Sequence, residues 1–190
     1  MNVARGKLIV IVAPSGTGKS TLIERLQAER PSLEWSVSCT TRVIREGETD
    51  GIDYRFISVE DFLKRKENNE FVEWAKVHSN YYGTLKSFID EGLEVGKHLL
   101  FDLDVQGCDL MRDIYGDEAK IIFIQPPGIE ALESRLRSRG TETDETIELR
   151  LNNAKEELKR ADDFNYKVIN DDIETAYVDL KRVIDEILGL

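Results

Sequence analysis

The chain has 190 residues, with 26 Lys and Arg against 37 Asp and Glu, a formal net charge of −11 and 41% hydrophobic residues. That length suits one domain carrying small insertions, and the 33% charged fraction fits a folded chain rather than a disordered one. The acidic excess repels phosphate backbones and anionic lipid, so neither nucleic acid nor membrane is expected as a partner, and any anionic ligand must meet a locally basic site.

The first element is Leu8 to Val12 (LIVIV), a continuous aliphatic run of the kind expected for a strand covered on both faces. Extended to Ala13, it remains far short of the roughly 20 residues that span a bilayer, and a cytoplasmic location is expected. A helix should start within the glycine-rich stretch that follows and run through Leu22, Leu26 and Ala28 until Pro31 stops it. From about Trp35 to Thr84 the rhythm changes. Short β-like pieces (Trp35 to Ser38, Asp53 to Ile57, Phe71 to Val77) surround one helical pattern, which Ser58 can cap through a Ser-x-x-Asp box ending at Asp61. Further strands are expected at Leu99 to Leu103, Ile121 to Ile124 and around Val168-Ile169, with a helix after Gln106. Arg139 to Glu145 is polar, contains Gly140 and reads as a lid-like loop between two helical patterns. The closing helix is marked by Ile173, Ala176, Tyr177, Leu180, Val183, Ile184, Ile187 and Leu188 at helical spacing. Strands alternating with helices imply an α/β fold with a parallel sheet. Cys39 and Cys108 lack metal-ligand or redox spacing and are expected as free thiols.

The strongest chemical signal is Ala13-Pro14-Ser15-Gly16-Thr17-Gly18-Lys19-Ser20-Thr21, between a strand and a helix. It fits a phosphate-binding loop in all but its first glycine, where Ala13 stands. Gly16 and Gly18 let backbone amides turn toward phosphate oxygens, Lys19 can reach the β and γ phosphates, and the Ser20 hydroxyl can ligate Mg²⁺. Asp102 and Asp104 end an apolar strand, as carboxylates that serve such a loop do; one can serve the metal and Lys19, the other a substrate. The middle segment concentrates Arg42, Arg45, Tyr54 and Tyr82, with Ser38, Glu73 and Thr84, and guanidinium forks match phosphate oxygens. Sequence spacing alone does not show that these residues converge.

The motifs Ser36-Val37-Ser38-Cys39-Thr40-Thr41-Arg42, Arg45-Glu46-Gly47-Glu48, Asp50-Gly51 and Asp53-Tyr54 resemble the substrate segment of guanylate kinases. So do Glu70-Phe71-Val72-Glu73-Trp74-Ala75, Asn80-Tyr81-Tyr82-Gly83-Thr84, Asp102-Leu103-Asp104-Val105-Gln106-Gly107, Arg139-Gly140-Thr141 and Asn170-Asp171-Asp172. The resemblance runs through essentially the whole chain in order. It implies a P-loop nucleoside monophosphate kinase fold, with core segments 1–34, 85–138 and 146–190, a GMP-binding insertion at 35–84 and a lid at 139–145. The implied reaction is ATP plus GMP to ADP plus GDP, with Mg²⁺ as cofactor and dGMP as a further candidate acceptor.

Carried over by residue, the resemblance implies that Arg42, Arg45, Tyr54 and Tyr82 hold the GMP phosphate while Ser38, Glu73 and Thr84 read guanine. Of Asp102 and Asp104, one belongs near the guanine amino group and one near the metal and Lys19, and Ser20 and Asp102 are the expected metal ligands. Residues 13–21 would hold the ATP phosphates, Arg135, Arg139 and Arg150 would close on them, and Asn170 would lie near adenine. Ile44 stands where many members have proline. A non-catalytic module of the same family would have lost the phosphate loop, which is intact here, and a P-loop GTPase would carry an Asn-Lys-x-Asp motif, which is not found.

Overall fold

In the computed structural model, which describes residues 4–138 and 143–190, strand β1 (Leu8–Val12) is buried at every position. Its residues alternate between two cores, as the two-residue period of a strand requires. Ile9 and Ile11 pack with Leu22, Ile23 and Leu26 of helix α1 (Lys19–Glu29) and with Ala176, Tyr177, Leu180 and Ile184 of helix α7 (Ile173–Leu188). Leu8, Val10 and Val12 pack on the opposite side with Ile89 and Leu93 of α3 (Lys86–Glu94) and Cys108 and Met111 of α4 (Val105–Tyr115). The continuous apolar run is thus explained by helices on both faces.

The large sheet has five parallel strands in the order β2 (Leu33–Trp35), β7 (His98–Asp102), β1, β8 (Ala119–Gln125) and β9 (Tyr166–Ile169). Because β1 lies between β7 and β8, the chain leaves β1 toward one edge and later crosses over it toward the other. The carboxyl ends of strands at such a reversal form the usual ligand crevice of open α/β sheets. A smaller sheet, ordered β4 (Arg55–Phe56), β3 (Cys39–Thr40), β6 (Asn80–Leu85) and β5 (Phe71–Val77), has its own core. There Phe62 of α2 (Val59–Glu67) stacks on Phe71 and Tyr81, with ring centroids 4.4 and 5.2 Å away. Ser58 caps α2 as expected, accepting from the Asp61 N–H at 3.0 Å.

Several elements differ from the sequence expectations. The piece Trp35 to Ser38 divides: Trp35 ends β2 in the large sheet, paired with Leu100, and the small sheet begins at Cys39. Leu33 and Trp35 draw that stretch to the large sheet because they pack on its core. Strand β6 and helix α3 are not anticipated by any pattern noted in the sequence. Helix α5 (Ile129–Ser138) and helix α6 (Asp144–Lys159) pack together through Leu132, Leu136, Ile147 and Leu151. Of the expected loop 139–145, Thr143 caps α6 and Asp144 and Glu145 form its first turn; Arg139 lies outside the described residues. Cys39 and Cys108 are buried free thiols, and among the described residues no helix is long and apolar enough to cross a membrane.

Candidate active site

The loop between β1 and α1 follows the strand end directly. Gly16 and Gly18 hold φ of +89° and +93°, in the left-handed region that favours glycine. A Cβ on Gly16 would meet Leu136 Cδ2 at 2.8 Å, and one on Gly18 would meet Asn170 Nδ2 at 2.6 Å, so α5 and the β9–α7 turn press on the loop from outside. Ala13 is not among the residues with positive φ, which explains why a methyl group is accepted there. Thr17 is fully buried, and its hydroxyl donates to the Pro14 carbonyl at 2.6 Å, closing the turn. Helix α1 then starts at Lys19 with no side-chain cap, which leaves its amino end suited to an anion. Ser20 and Thr21 are exposed in its first turn.

Parallel pairing places Ile11 of β1 beside Asp102 of β7, so the carboxylate emerges next to the loop and forms an ion pair with the Lys19 ammonium. Asp104 takes a different place. Its Oδ1 caps α4, accepting from the Gly107 N–H at 2.7 Å, and its charge acts on Glu73 and Glu157. The two carboxylates thus differ in their contacts: Asp102 pairs with Lys19 and lines a cavity with Ser38, Tyr54 and Thr84, whereas Asp104 caps α4 and lines a cleft with Glu157 and Arg160.

In the small sheet, register brings distant residues together. Glu73 of β5 pairs directly with Thr84 of β6, and β3 pairs with the same strand, Cys39 opposite Gly83, which puts Ser38 beside Thr84. The Thr84 hydroxyl, 1% exposed, donates to Glu73 Oε1 at 2.7 Å and lies 3.4 Å from Ser38 Oγ. Burial pushes the Glu73 carboxyl above its ordinary range; the Thr84 hydroxyl opposes this and the Asp104 charge adds to it. Two residues before Thr84, Tyr82 is in edge contact with Tyr54 at 5.9 Å between centroids, and the Arg42 guanidinium lies 5.5 Å from the Tyr54 ring. Arg45 is exposed on the following loop. Ser38, Tyr54, Thr84 and Asp102 line one cavity of about 260 Å³ that spans the two sheets.

On the helical side, Arg150 of α6 reaches the phosphate loop, donating to Ser15 Oγ at 2.6 Å. Arg135 of α5 donates to the Asn170 and Asp171 carbonyls at 2.8 and 2.9 Å. Asn170 is buried, and its amide donates to the Thr17 carbonyl at 2.7 Å, holding the phosphate loop in place. Among the described residues no three His, Cys, Asp or Glu side chains gather as a metal cage.

The family model for guanylate kinase matches residues 5–187. The chain belongs to the guanylate kinase family. It is 48% identical to the guanylate kinase of Nitratidesulfovibrio vulgaris over 186 residues, covering 97% of this chain and 89% of that protein. It is 46% identical to that of Porphyromonas gingivalis over 185 residues, covering 96% and 98%. The crystal structure of guanylate kinase from Anaplasma phagocytophilum aligns over 96% of this chain and 86% of that one, with a TM-score of 0.65 and 29% identity. The family phosphorylates GMP using ATP, so the protein is an enzyme, a nucleotide-binding kinase with the α/β P-loop fold.

Two residues at this guanylate kinase site went unassigned from sequence. Glu48 receives both terminal nitrogens of Arg42, at 2.7 and 3.0 Å, and also accepts from the Arg45 N–H at 2.7 Å, so one carboxylate fixes the guanidinium plane and the loop carrying the second arginine. Its signal was present in Arg45-Glu46-Gly47-Glu48. Glu157 lies two helical turns after Arg150, and its carboxyl is pushed upward by burial and by Asp104, with Lys19 opposing. Only the seven-residue offset from Arg150 could have indicated it.

Proposed function

We propose that the protein transfers the γ-phosphoryl group of ATP to a phosphate oxygen of GMP, with dGMP as a second acceptor. The observation that supports this most is the linked set Ser38, Thr84 and Glu73, of which Ser38 and Thr84 share a cavity wall with Tyr54 and with Asp102 of the phosphate loop's ion pair. Guanine offers N1–H and N2–H as adjacent donors and O6 as acceptor. An ionised Glu73 takes both donors, and the Ser38 or Thr84 hydroxyl can donate to O6. Adenine would set its N1 lone pair against the half-buried carboxylate and has no N2 amino group, a mismatch of several kcal/mol once the ligand closes the site. Arg42, Arg45, Tyr54 and Tyr82 then hold the acceptor phosphate.

The acceptor oxygen forms a bond to the γ phosphorus in line with the breaking bond to the bridging oxygen, and ADP leaves with that electron pair. No protein nucleophile is needed. Lys19, paired with Asp102 at the mouth of the loop, reaches the ATP phosphates, and the amides of residues 13–21 cradle them. Arg150, Arg135 and Arg139 complete the charge shell, with Asn170 beside the adenine. The Ser20 hydroxyl and Asp102 carboxylate are hard oxygen donors at one loop mouth, a set that fits Mg²⁺ when nucleotide phosphates supply most ligands. Bound there, Mg²⁺ neutralises phosphate charge.

Purified protein incubated with Mg²⁺, ATP and each of GMP, dGMP, AMP, CMP and UMP should form ADP rapidly only with GMP and dGMP. Equal turnover with AMP, or ADP formation that is independent of acceptor, would refute the reading.

A further inference from the structure

After β3 the chain turns back on itself at Arg45-Glu46-Gly47-Glu48. The Glu48 N–H donates to the Arg45 carbonyl at 3.1 Å, and Gly47 supplies a φ of +89° at the third position of the turn. The Glu48 carboxylate answers across the same turn, Oε2 accepting from the Arg45 N–H at 2.7 Å. It accepts from Arg42 as well, Oε1 from Nη2 at 2.7 Å and Oε2 from Nη1 at 3.0 Å. Nη1 makes a further bond, to the Val43 carbonyl at 2.9 Å. The rings of Tyr54 and Phe56 lie 5.5 and 5.7 Å from the same guanidinium. The side chains of Arg42 and Glu48 are 12% and 19% exposed, so the pair is shielded from water. Arg42 and the Arg45 N–H hold the Glu48 carboxyl below its ordinary range, and it stays ionised.

A guanidinium carries five N–H groups that form two forks, one end-on through Nη1 and Nη2 and one side-on through Nε and Nη2. Glu48 takes the end-on fork of Arg42, and Val43 takes the remaining hydrogen of Nη1. The side-on fork, Nε–H with the second Nη2–H, has no carboxylate or carbonyl acceptor among the described residues; the Tyr82 hydroxyl is the further group that acts on this guanidinium. A side-on fork matches two oxygens of one phosphate. We propose that Glu48 is a positioning residue that keeps the end-on fork of Arg42 while the acceptor is bound, and thereby turns the side-on fork to the acceptor phosphate. Through the Arg45 N–H it sets the loop carrying the second arginine toward the same anion. This rests on the acceptor-site reading above and gives the way that site recognises a phosphate.

The test uses full-length wild type, Glu48→Gln, Arg42→Ala and the double variant. At saturating Mg²⁺ and ATP, it measures KM for GMP and the inhibition constant of guanosine, which has the base and sugar but no phosphate; KM for ATP is measured separately. Glutamine keeps an acceptor for the Arg45 N–H but sets its own N–H against the guanidinium, so Arg42 loses its setting while the turn remains. With Arg42 present, Glu48→Gln should raise KM for GMP about tenfold, and leave guanosine inhibition and KM for ATP within about twofold. Those two constants also report that each variant is folded. In the Arg42→Ala background the same substitution removes an unneutralised carboxylate beside the phosphate, so KM for GMP should stay level or fall. A similar rise in both backgrounds would make Glu48 a support of the turn alone, and an equal loss for guanosine would place the damage at the base. An unchanged KM for GMP would leave Glu48 without a role, and a lower one with Arg42 intact would make it a competitor of the phosphate. Each of these results overturns the assignment. A wild type that phosphorylates no GMP would instead refute the acceptor-site reading.

Discussion

At the scale of single residues, the proposed reaction puts its two halves on Lys19 and Glu73, and each sits in an environment that sets its behaviour. Lys19 is paired with Asp102 at the end of β7. In Lys19→Ala the backbone amides of the loop remain, so the fold should persist while kcat drops on the order of a hundredfold or more. Steady-state kinetics beside a thermal melt checks this, and near-normal turnover in a normally melting variant would remove Lys19 from its proposed role. Glu73 has its carboxyl pushed upward, first by burial and further by Asp104. Its neutral form therefore persists to higher pH than that of a free glutamate, whereas the proposed guanine contact needs the ionised form. In the acid range, where Glu73 is still partly protonated, GMP binding should release a proton, and KM for GMP should rise as pH falls through a value above the ordinary glutamate range of about 4.3. The same upward shift means that the folded state binds more protons than the unfolded state in this window, so the stability it contributes is lost as pH rises through the folded pKa. Glu73→Gln should abolish the acid limb in KM and leave the ligand-free protein at least as stable at neutral pH. A wild-type KM for GMP independent of pH across the acid range would contradict both statements.

Elements translate these residues into a site, and here the sequence was legible only in part. The phosphate loop could be read because its groups are contiguous and its flanks, a wholly apolar strand and a helix ended by Pro31, are unambiguous. The convergence of Ser38, Glu73 and Thr84 could not be read from spacing, because it depends on cross-strand register: Glu73 opposite Thr84 and Cys39 opposite Gly83. Strand β6 escaped notice because Asn80–Leu85 has no apolar run and gains its place by pairing on both sides, with β3 and β5. Helix α3 escaped because Leu85 precedes it without a capping side chain. The loop also depends on elements that touch no substrate. Gly16→Ala places a methyl group 2.8 Å from Leu136 Cδ2 at a φ of +89°. The expected loss is about 1–3 kcal/mol in chemical denaturation, with ATP affinity weakened more than GMP affinity. Unchanged stability and ATP affinity would show that α5 does not shape the loop.

At the scale of the whole molecule, the proposed reaction is divided between two sheets. The large parallel sheet presents the phosphate loop and Asp102 at its carboxyl edge, while the small sheet presents a carboxylate and hydroxyls matched to a guanine edge. The junction between Ser36 and Cys39 joins the two halves, and the cavity beside it spans from one to the other. On the proposed reading an acidic chain meets two anionic substrates with arginines set around this crevice: Arg42 anchored by Glu48, Arg150 on Ser15, and Arg135 on the turn that carries Asn170. On that reading, specificity for the acceptor falls on the half-buried Glu73. The direct test is the ratio of kcat/KM for GMP to that for AMP, in the wild type and in Glu73→Gln, at saturating ATP and neutral pH. The amide keeps the shape but offers one acceptor oxygen and opposes a guanine donor with its own N–H, so the ratio should fall on the order of a thousandfold, almost wholly through GMP, while KM for ATP stays within about twofold. A Glu73→Gln enzyme that kept the wild-type preference for GMP would contradict the assignment and show that guanine is read by another group.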